Sequence, residues 1–370
     1  MDVASEEWLD TREKSQPLPG PCLMRILVVG DPFLDTSMFE RGLGFLGREH
    51  SLGFLQVDDA QAFSPRSASE RRVREFAGTP SAIIERMEGI EVLVVHGAPV
   101  TDEVLDASSC LALVCCARGG PANVDVTAAS ERGIPVATTP GKNAEAVAEQ
   151  TIAFLIMLAR RFPRAQRFLL AGGQLGESTF EGAQFVGREL AGQTLGLVGF
   201  GHVGRAVARR ARALDMHVAI YDPFVRVAAD DEIEQLSELA ELLAIADFVS
   251  LHARATPEND RLFDLPRIAQ MRGGACLINT ARETLVDEQA LDDALMSGHL
   301  GGAALDVVRP ARHGGPHPLL RHENVILTPH IGGATEETLL RGASMVGAEI
   351  VRFAAGERLR HVINESAVGG

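Results

Sequence analysis

The stretch Leu195-Gly-Leu-Val-Gly199-Phe-Gly201-His-Val-Gly204-Arg-Ala-Val-Ala-Arg-Arg-Ala-Arg-Ala-Leu214 decides how the chain is read. A short apolar run leads into G-x-G-x-x-G, and the last glycine opens an Ala-rich helix. A dinucleotide-binding turn needs that order. Gly199 makes the tight turn, Gly201 lets the backbone approach a pyrophosphate, and Gly204 lets the helix pack on the strand. Free N–H groups at the helix start then face the phosphate charge. A second apolar run ends in Tyr221-Asp222, about twenty residues further on, where a carboxylate accepts both ribose hydroxyls of NAD and repels the extra phosphate of NADP. The bland alternative makes Asp222 only a turn residue before Pro223, and Arg226 weighs against an exclusive preference for NAD.

Similar apolar runs recur on both sides of this motif. Strands are expected at 25–30, 91–96, 111–116 and 134–138, and again at 194–199, 217–221, 248–252, 276–279, 303–307 and 325–327. Helical periodicity lies between them, as at 80–87 and 123–132. Such alternation implies parallel sheets with right-handed crossovers, and two such regions imply two doubly wound α/β domains. Between the regions, 143–161 reads as a helix with Asn143 as N-cap and Glu145 and Glu149 at its positive end. Its middle is apolar nearly all round, which predicts burial between domains or subunits. Residues 171–177 read as a Gly-rich loop, and 1–24 as a flexible arm.

Composition bounds the function. Hydrophobic residues make up 46% of the chain and aromatics 5%, so the cores are Ala, Val, Leu and Ile. The formal net charge of −15 disfavours nucleic acid and anionic membrane surfaces as partners. The five cysteines form no CxxC pair and no metal spacing, so structural thiols in a reducing compartment are expected and no metal site. The acidic N-terminus lacks the features of a signal peptide, and the apolar stretch 151–159 is far short of the roughly 18 residues of a membrane span. A cytoplasmic location follows by elimination.

Further blocks stand at Arg118-Gly-Gly-Pro-Ala-Asn-Val-Asp125, Gly133-Ile-Pro-Val-Ala-Thr-Thr-Pro-Gly141, Asn279-Thr-Ala-Arg282, Ala304-Leu-Asp-Val307 and Leu327-Thr-Pro-His-Ile-Gly-Gly-Ala334. In order and spacing the chain resembles the D-2-hydroxyacid dehydrogenase family, which includes phosphoglycerate dehydrogenases and glyoxylate/hydroxypyruvate reductases. The resemblance implies a flavodoxin-like substrate domain from 25–142 plus 335–370, and an inserted Rossmann NAD domain at 143–334. It also implies an NAD-dependent enzyme that acts on a small anionic 2-hydroxy or 2-oxo acid and forms a homodimer through the NAD domain.

Carried over residue by residue, the resemblance makes Arg282 the grip on carboxylate and carbonyl, and His330 the acid/base. The Arg118-Gly119-Gly120 loop presents N–H groups to the substrate carboxylate. Asp306 sits near the nicotinamide carboxamide. Beside the glycine turn and Asp222, it assigns His202, Val203, Thr151, His252, Thr256, Thr280, Ala281, Gly332 and Gly333 to the cofactor. Read alone, His202 is exposed and incidental, and His252 is equally a buried structural histidine. Pro257 lines the cofactor or only punctuates a loop.

One position departs from the family. A Glu normally stands five residues after the Asp of the D-V block and pairs with the catalytic histidine, whereas this chain has Ala311. The partner that orients the imidazole and stabilises its charged form is therefore missing. Three outcomes are open: Glu283 or Glu323 substitutes, His330 works bare with a shifted pH profile, or catalysis has weakened and the chain is an NAD(H)-binding regulator. Arg309, Arg312, His313 and His317 form a basic cluster that reads either as a subsite for a second anionic group or as a solvated loop.

Overall fold

The computed structural model describes residues 23–58, 68–174, 179–228, 233–311 and 315–365. Two compact units emerge: residues up to Pro140 together with those from Leu340, and Gly141–Leu339.

The first unit begins with β1 (Arg25–Gly30), α1 (Thr36–Leu43), β2 (Ser51–Gln56), α2 (Pro80–Ile84) and β3 (Val92–Val95). It continues through α3 (Asp102–Asp106), β4 (Leu113–Cys116), α4 (Val126–Glu131) and β5 (Val136–Ala137). The sheet order is β2-β1-β3-β4-β5, with every neighbour parallel. β3 and β4 are buried along their whole length, as parallel strands covered on both faces must be. Cys115 and Cys116 are part of that core, and burial pushes the Cys115 thiol above its ordinary range. Two expected helices are shorter than 80–87 and 123–132. The second starts at Val126 because Asp125 caps it, accepting the Ala128 N–H.

Residues 361–364 close the open edge of this sheet. Ile363 N donates to Val136 O at 3.0 Å, Thr138 N to His361 O at 2.9 Å, and Val136 N to Asn364 Oδ1 at 2.8 Å. An unpaired parallel edge is thereby covered by an antiparallel tail.

The second unit holds α5 (Ala144–Ala159), α6 (Phe162–Leu170), β6 (Thr194–Val198), α7 (His202–Arg212), β7 (His217–Tyr221) and β8 (Glu234–Gln235). It then runs α8 (Leu239–Ile245), β9 (Phe248–Leu251), α9 (Leu265–Gln270), β10 (Cys276–Asn279), α10 (Glu288–Met296), β11 (Gly302–Leu305) and β12 (Val325–Leu327). The all-parallel order is β12-β11-β10-β9-β6-β7-β8. It reverses direction at β6, the topological switch point of a doubly wound fold. A last helix, α11 (Glu336–Ala354), returns the chain to the first unit.

The helix α5 corrects one expectation. Asn143 occupies the N-cap position but makes no capping hydrogen bond. Phe154, Leu155 and Leu158 of this helix join a core cluster with β6, α7 and β11, while Ala153 and Ile156 are exposed in the single chain. α6 buries no residue and exposes Phe162, Leu169 and Leu170. Among the described residues, no helix is long and apolar enough to cross a membrane.

Candidate active site

The glycine turn follows β6 at the switch point. Gly199 has φ +97°, and a Cβ built there would lie 2.6 Å from Ala253 N, so both conformation and space exclude a side chain. A Cβ on Gly204 would lie 2.4 Å from Gly199 O, where α7 crosses the turn. A Cβ built on Gly201 would meet nothing within 4 Å, and α7 has no side-chain cap. An open cradle bordered by uncapped helix N–H groups fits a dinucleotide pyrophosphate.

Asp222 follows β7. Its Oδ2 accepts Phe200 N at 2.7 Å, and its Oδ1 accepts Phe224 N at 2.8 Å and Val225 N at 3.2 Å. The carboxylate is thus a turn residue and also ties the glycine turn to the end of β7. With roughly four acceptor sites on a carboxylate, some capacity remains for a ribose hydroxyl.

His202 is exposed, and its ring lies 2.9 Å from where a Cβ on Gly141 would sit. Val203 is half-buried and packs on the core below the turn. His252, just past β9, is hydrogen-bonded through Nε2 to Ser250 Oγ at 2.9 Å; burial pushes its imidazole down to about 3, so the ring is neutral. Thr256 N donates to Asn259 Oδ1 at 2.8 Å, and Pro257 opens the short turn that follows.

The neighbouring strands β10, β11 and β12 end in three loops that carry the remaining candidates. After β10, buried Asn279 shapes the first: its Oδ1 accepts Ala281 N at 3.0 Å, and its Nδ2 donates to Arg282 O at 2.8 Å. Among the described residues, the exposed Arg282 guanidinium meets only the Ala281 carbonyl, at 2.7 Å. Thr280 Oγ1 lies 3.3 Å from Thr151 Oγ1, which donates to Val147 O on α5.

After β12, His330 is exposed and has φ +55°, the left-handed region that L side chains avoid. Buried Asp306, after β11, holds that turn. Its backbone carbonyl accepts His330 N at 2.8 Å, and its carboxylate accepts Ile331 N at 2.9 Å and Gly332 N at 2.7 Å. Thr328 Oγ1 and Gln150 Nε2 complete the set on Oδ1. A Cβ on Gly332 would meet Gln150 Oε1 at 2.6 Å and Asp306 Oδ2 at 2.8 Å, while one on Gly333 would meet the Asn143 amide. This explains where the Asn143 side chain lies instead of capping α5.

Among the described residues nothing hydrogen-bonds the His330 imidazole. Neither proposed substitute reaches it: Glu323 pairs with Arg164 at 3.4 Å, and Glu283 opens a short turn after Arg282. Ala311 lines a pocket of about 630 Å³ with Arg261, Asp287, Glu288, Arg309 and His317. Within it Glu288 accepts Arg309 N at 2.7 Å and stands 3.4 Å from His317 Nε2, and the Arg309 guanidinium is 4.0 Å from Asp260. Arg312 and His313 lie outside the described residues.

In the first unit, Arg118 follows β4 and is committed to Glu75, through its carbonyl at 2.9 Å and its carboxylate. Gly119 and Gly120 are exposed. The ends of β1 and β3 carry a pair that the sequence did not single out. His96 Nδ1 lies 2.9 Å from buried Asp31 Oδ2, which also accepts Gly97 N at 2.6 Å. Burial raises the Asp31 carboxyl, but the hydrogen bond and charge of His96, with the Leu34 and Phe33 amides, bring it below its usual range.

A sequence model described as the NAD-binding domain of D-isomer specific 2-hydroxyacid dehydrogenases matches residues 152–332. The glyoxylate reductase of Korarchaeum cryptofilum is 36% identical over 296 residues, 80% of this chain and 89% of that protein. The D-3-phosphoglycerate dehydrogenase of Archaeoglobus fulgidus is 36% identical over 284 residues, 76% of this chain and 53% of that protein. The chain thus spans about half the length of the phosphoglycerate dehydrogenases it matches. Among solved structures, a Thermus thermophilus protein aligns with TM-score 0.73 and 34% identity, covering 92% of this chain and all of that one. The chain belongs to the D-isomer specific 2-hydroxyacid dehydrogenase family and carries that family's NAD-binding domain.

Proposed function

We propose that the protein is an NAD-dependent oxidoreductase for a small 2-hydroxy or 2-oxo acid, reacting at C2. The observation that carries the reading is the grouping of Arg282, Asp306 and His330 on three adjacent strand ends of the sheet that also bears the glycine turn. Ligands of such sheets bind outside those ends. Bound NAD would be held by the 199–204 turn and Asp222, and supplies the hydride acceptor or donor. Arg282, with a planar fork of donors and no competing carboxylate among the described residues, grips the substrate carboxylate and polarises the C2 oxygen. His330 moves a proton to or from that oxygen, a task suited to an imidazole at neutral pH.

The names of the relatives make glyoxylate and phosphorylated or sugar-derived three-carbon acids the first substrates to try. The exposed apolar residues of α5 and α6 support a second copy as partner. Free buried thiols, with Cys276 pushed up to about 12, suit a reducing compartment such as the cytoplasm.

A second reading, an NAD(H)-binding regulator with weakened catalysis, is favoured by Ala311 and by a His330 ring with no hydrogen bond among the described residues. Steady-state assays with glyoxylate, hydroxypyruvate and a panel of sugar acids, following NADH absorbance, separate the two. Turnover that Arg282→Ala abolishes supports the enzyme; tight NADH binding without turnover of any panel member supports the regulator.

A further inference from the structure

We propose that Gln150 is a positioning residue for His330, its amide clamping the turn that carries the imidazole and taking over the orienting task that position 311 leaves undone. The inference rests on the oxidoreductase reading of the same site.

Gln150 sits on α5 where its polar first half gives way to an apolar second half, one residue before buried Thr151. A polar side chain there needs partners. Its Nε2 donates to Asp306 Oδ1 at 3.1 Å and to Thr328 Oγ1 at 3.0 Å. Thr328 Oγ1 itself donates to Asp306, so its oxygen is free to accept the amide. Reversing the amide would aim Oε1 at a carboxylate oxygen, so the direction of the clamp is fixed. Oε1 in turn is buried without a donor and lies where a Cβ on Gly332 would collide with it. Gln150 thus touches both ends of the 328–332 turn: Thr328 before His330 and Gly332 after it.

The turn needs such a hold. His330 has a positive φ and, among the described residues, no hydrogen bond to its ring, so the main-chain turn carries much of the task of aiming the imidazole. The backbone is fixed by Asp306, which accepts Ile331 N and Gly332 N, and Asp306 is fixed from behind by Gln150. The Glu that the family resemblance expects at position 311 would grip the ring directly. Here the grip comes through the main chain.

The test uses the full chain and two readouts. Gln150→Leu keeps the volume and removes both donated bonds; Gln150→Asn, too short to reach, serves where Leu fails to fold. The Cε1–H resonance of His330 is assigned by its loss in His330→Asn and compared between the native chain and either variant. A shifted or broadened resonance supports the proposal even where no substrate is turned over, so its outcome is separable from that of the oxidoreductase reading. An unmoved resonance overturns it. With a substrate in hand, kcat should fall about tenfold while KM for NADH changes little, the size usual for groups acting through a ligand's neighbour. Adding Ala311→Glu to Gln150→Leu should restore most of the lost kcat. A purely structural Gln150 gives no such recovery, and that result would also overturn the proposal.

Discussion

His252 gives the second unit a pH dependence of stability that can be worked out from its surroundings. Its imidazole is held neutral, with a pKa of about 3, by burial beside β9. In the unfolded chain an imidazole titrates near 6.5. The folded value is the lower one, so the unfolded state takes up the proton first. The associated stability is complete above pH 6.5 and is lost as pH falls toward 3. Each pH unit inside that window is worth about 1.4 kcal/mol, so moving from pH 7.5 to pH 5 should cost about 2 kcal/mol from this residue. Carboxylates with lowered values, such as Asp31, Asp106 and Asp125, act with the same sign, but their window opens only near pH 4. His252→Gln keeps a polar partner for Ser250 and removes the titration. Urea unfolding should be followed by far-UV circular dichroism at both pH values, with hydrogen exchange of the β9 and β10 peptides assigning the transition. The stability difference between native chain and variant should change by about 2 kcal/mol across the window. Parallel curves would show that the ring is not desolvated as described.

Two further changes probe the cofactor turn. Gly204→Ala forces a Cβ to within 2.4 Å of the Gly199 carbonyl, so α7 must move off the turn. NADH affinity measured by fluorescence titration should fall by at least tenfold, and stability by about 1–3 kcal/mol, the range for overpacking. Asp222→Ala removes the anchor of Phe200 N and the negative charge at the ribose position. Isothermal titration should show weaker NADH binding and a narrowed gap between NADH and NADPH.

The sequence displayed both sheets because buried parallel strands read as unbroken apolar runs, and β1, β7, β10 and β12 carry the residues expected of them. It hid β2 and β8 for the same reason. Ser51–Gln56 alternates between exposed and half-buried positions, and β8 is only Glu234–Gln235 at the far edge, so neither has an apolar signature. Candidate side chains were easiest to find where a strand ends in an unusual residue, as with Asp222, Arg282, Asp306 and His330. What linear sequence does not carry is which oxygen is already taken. The Asp306 carboxylate, expected beside the nicotinamide carboxamide, is occupied by two main-chain amides, Thr328 and Gln150. Gln150, next to buried Thr151 at the start of the apolar half of α5, was the available signal for that network. Asp31 and His96 were equally visible as polar residues closing apolar strands, but nothing in the sequence pairs positions 65 residues apart.

The account rests most heavily on the orientation of two side chains toward a bound nicotinamide ring. A crystal structure of the chain with NADH and oxamate, an unreactive stand-in for a 2-oxo acid, tests it directly. The account predicts the Arg282 guanidinium on the oxamate carboxylate and the His330 ring within hydrogen-bonding distance of the neighbouring carbonyl oxygen. Either side chain turned away from the ring, with NADH seated in the 199–204 turn, would contradict it.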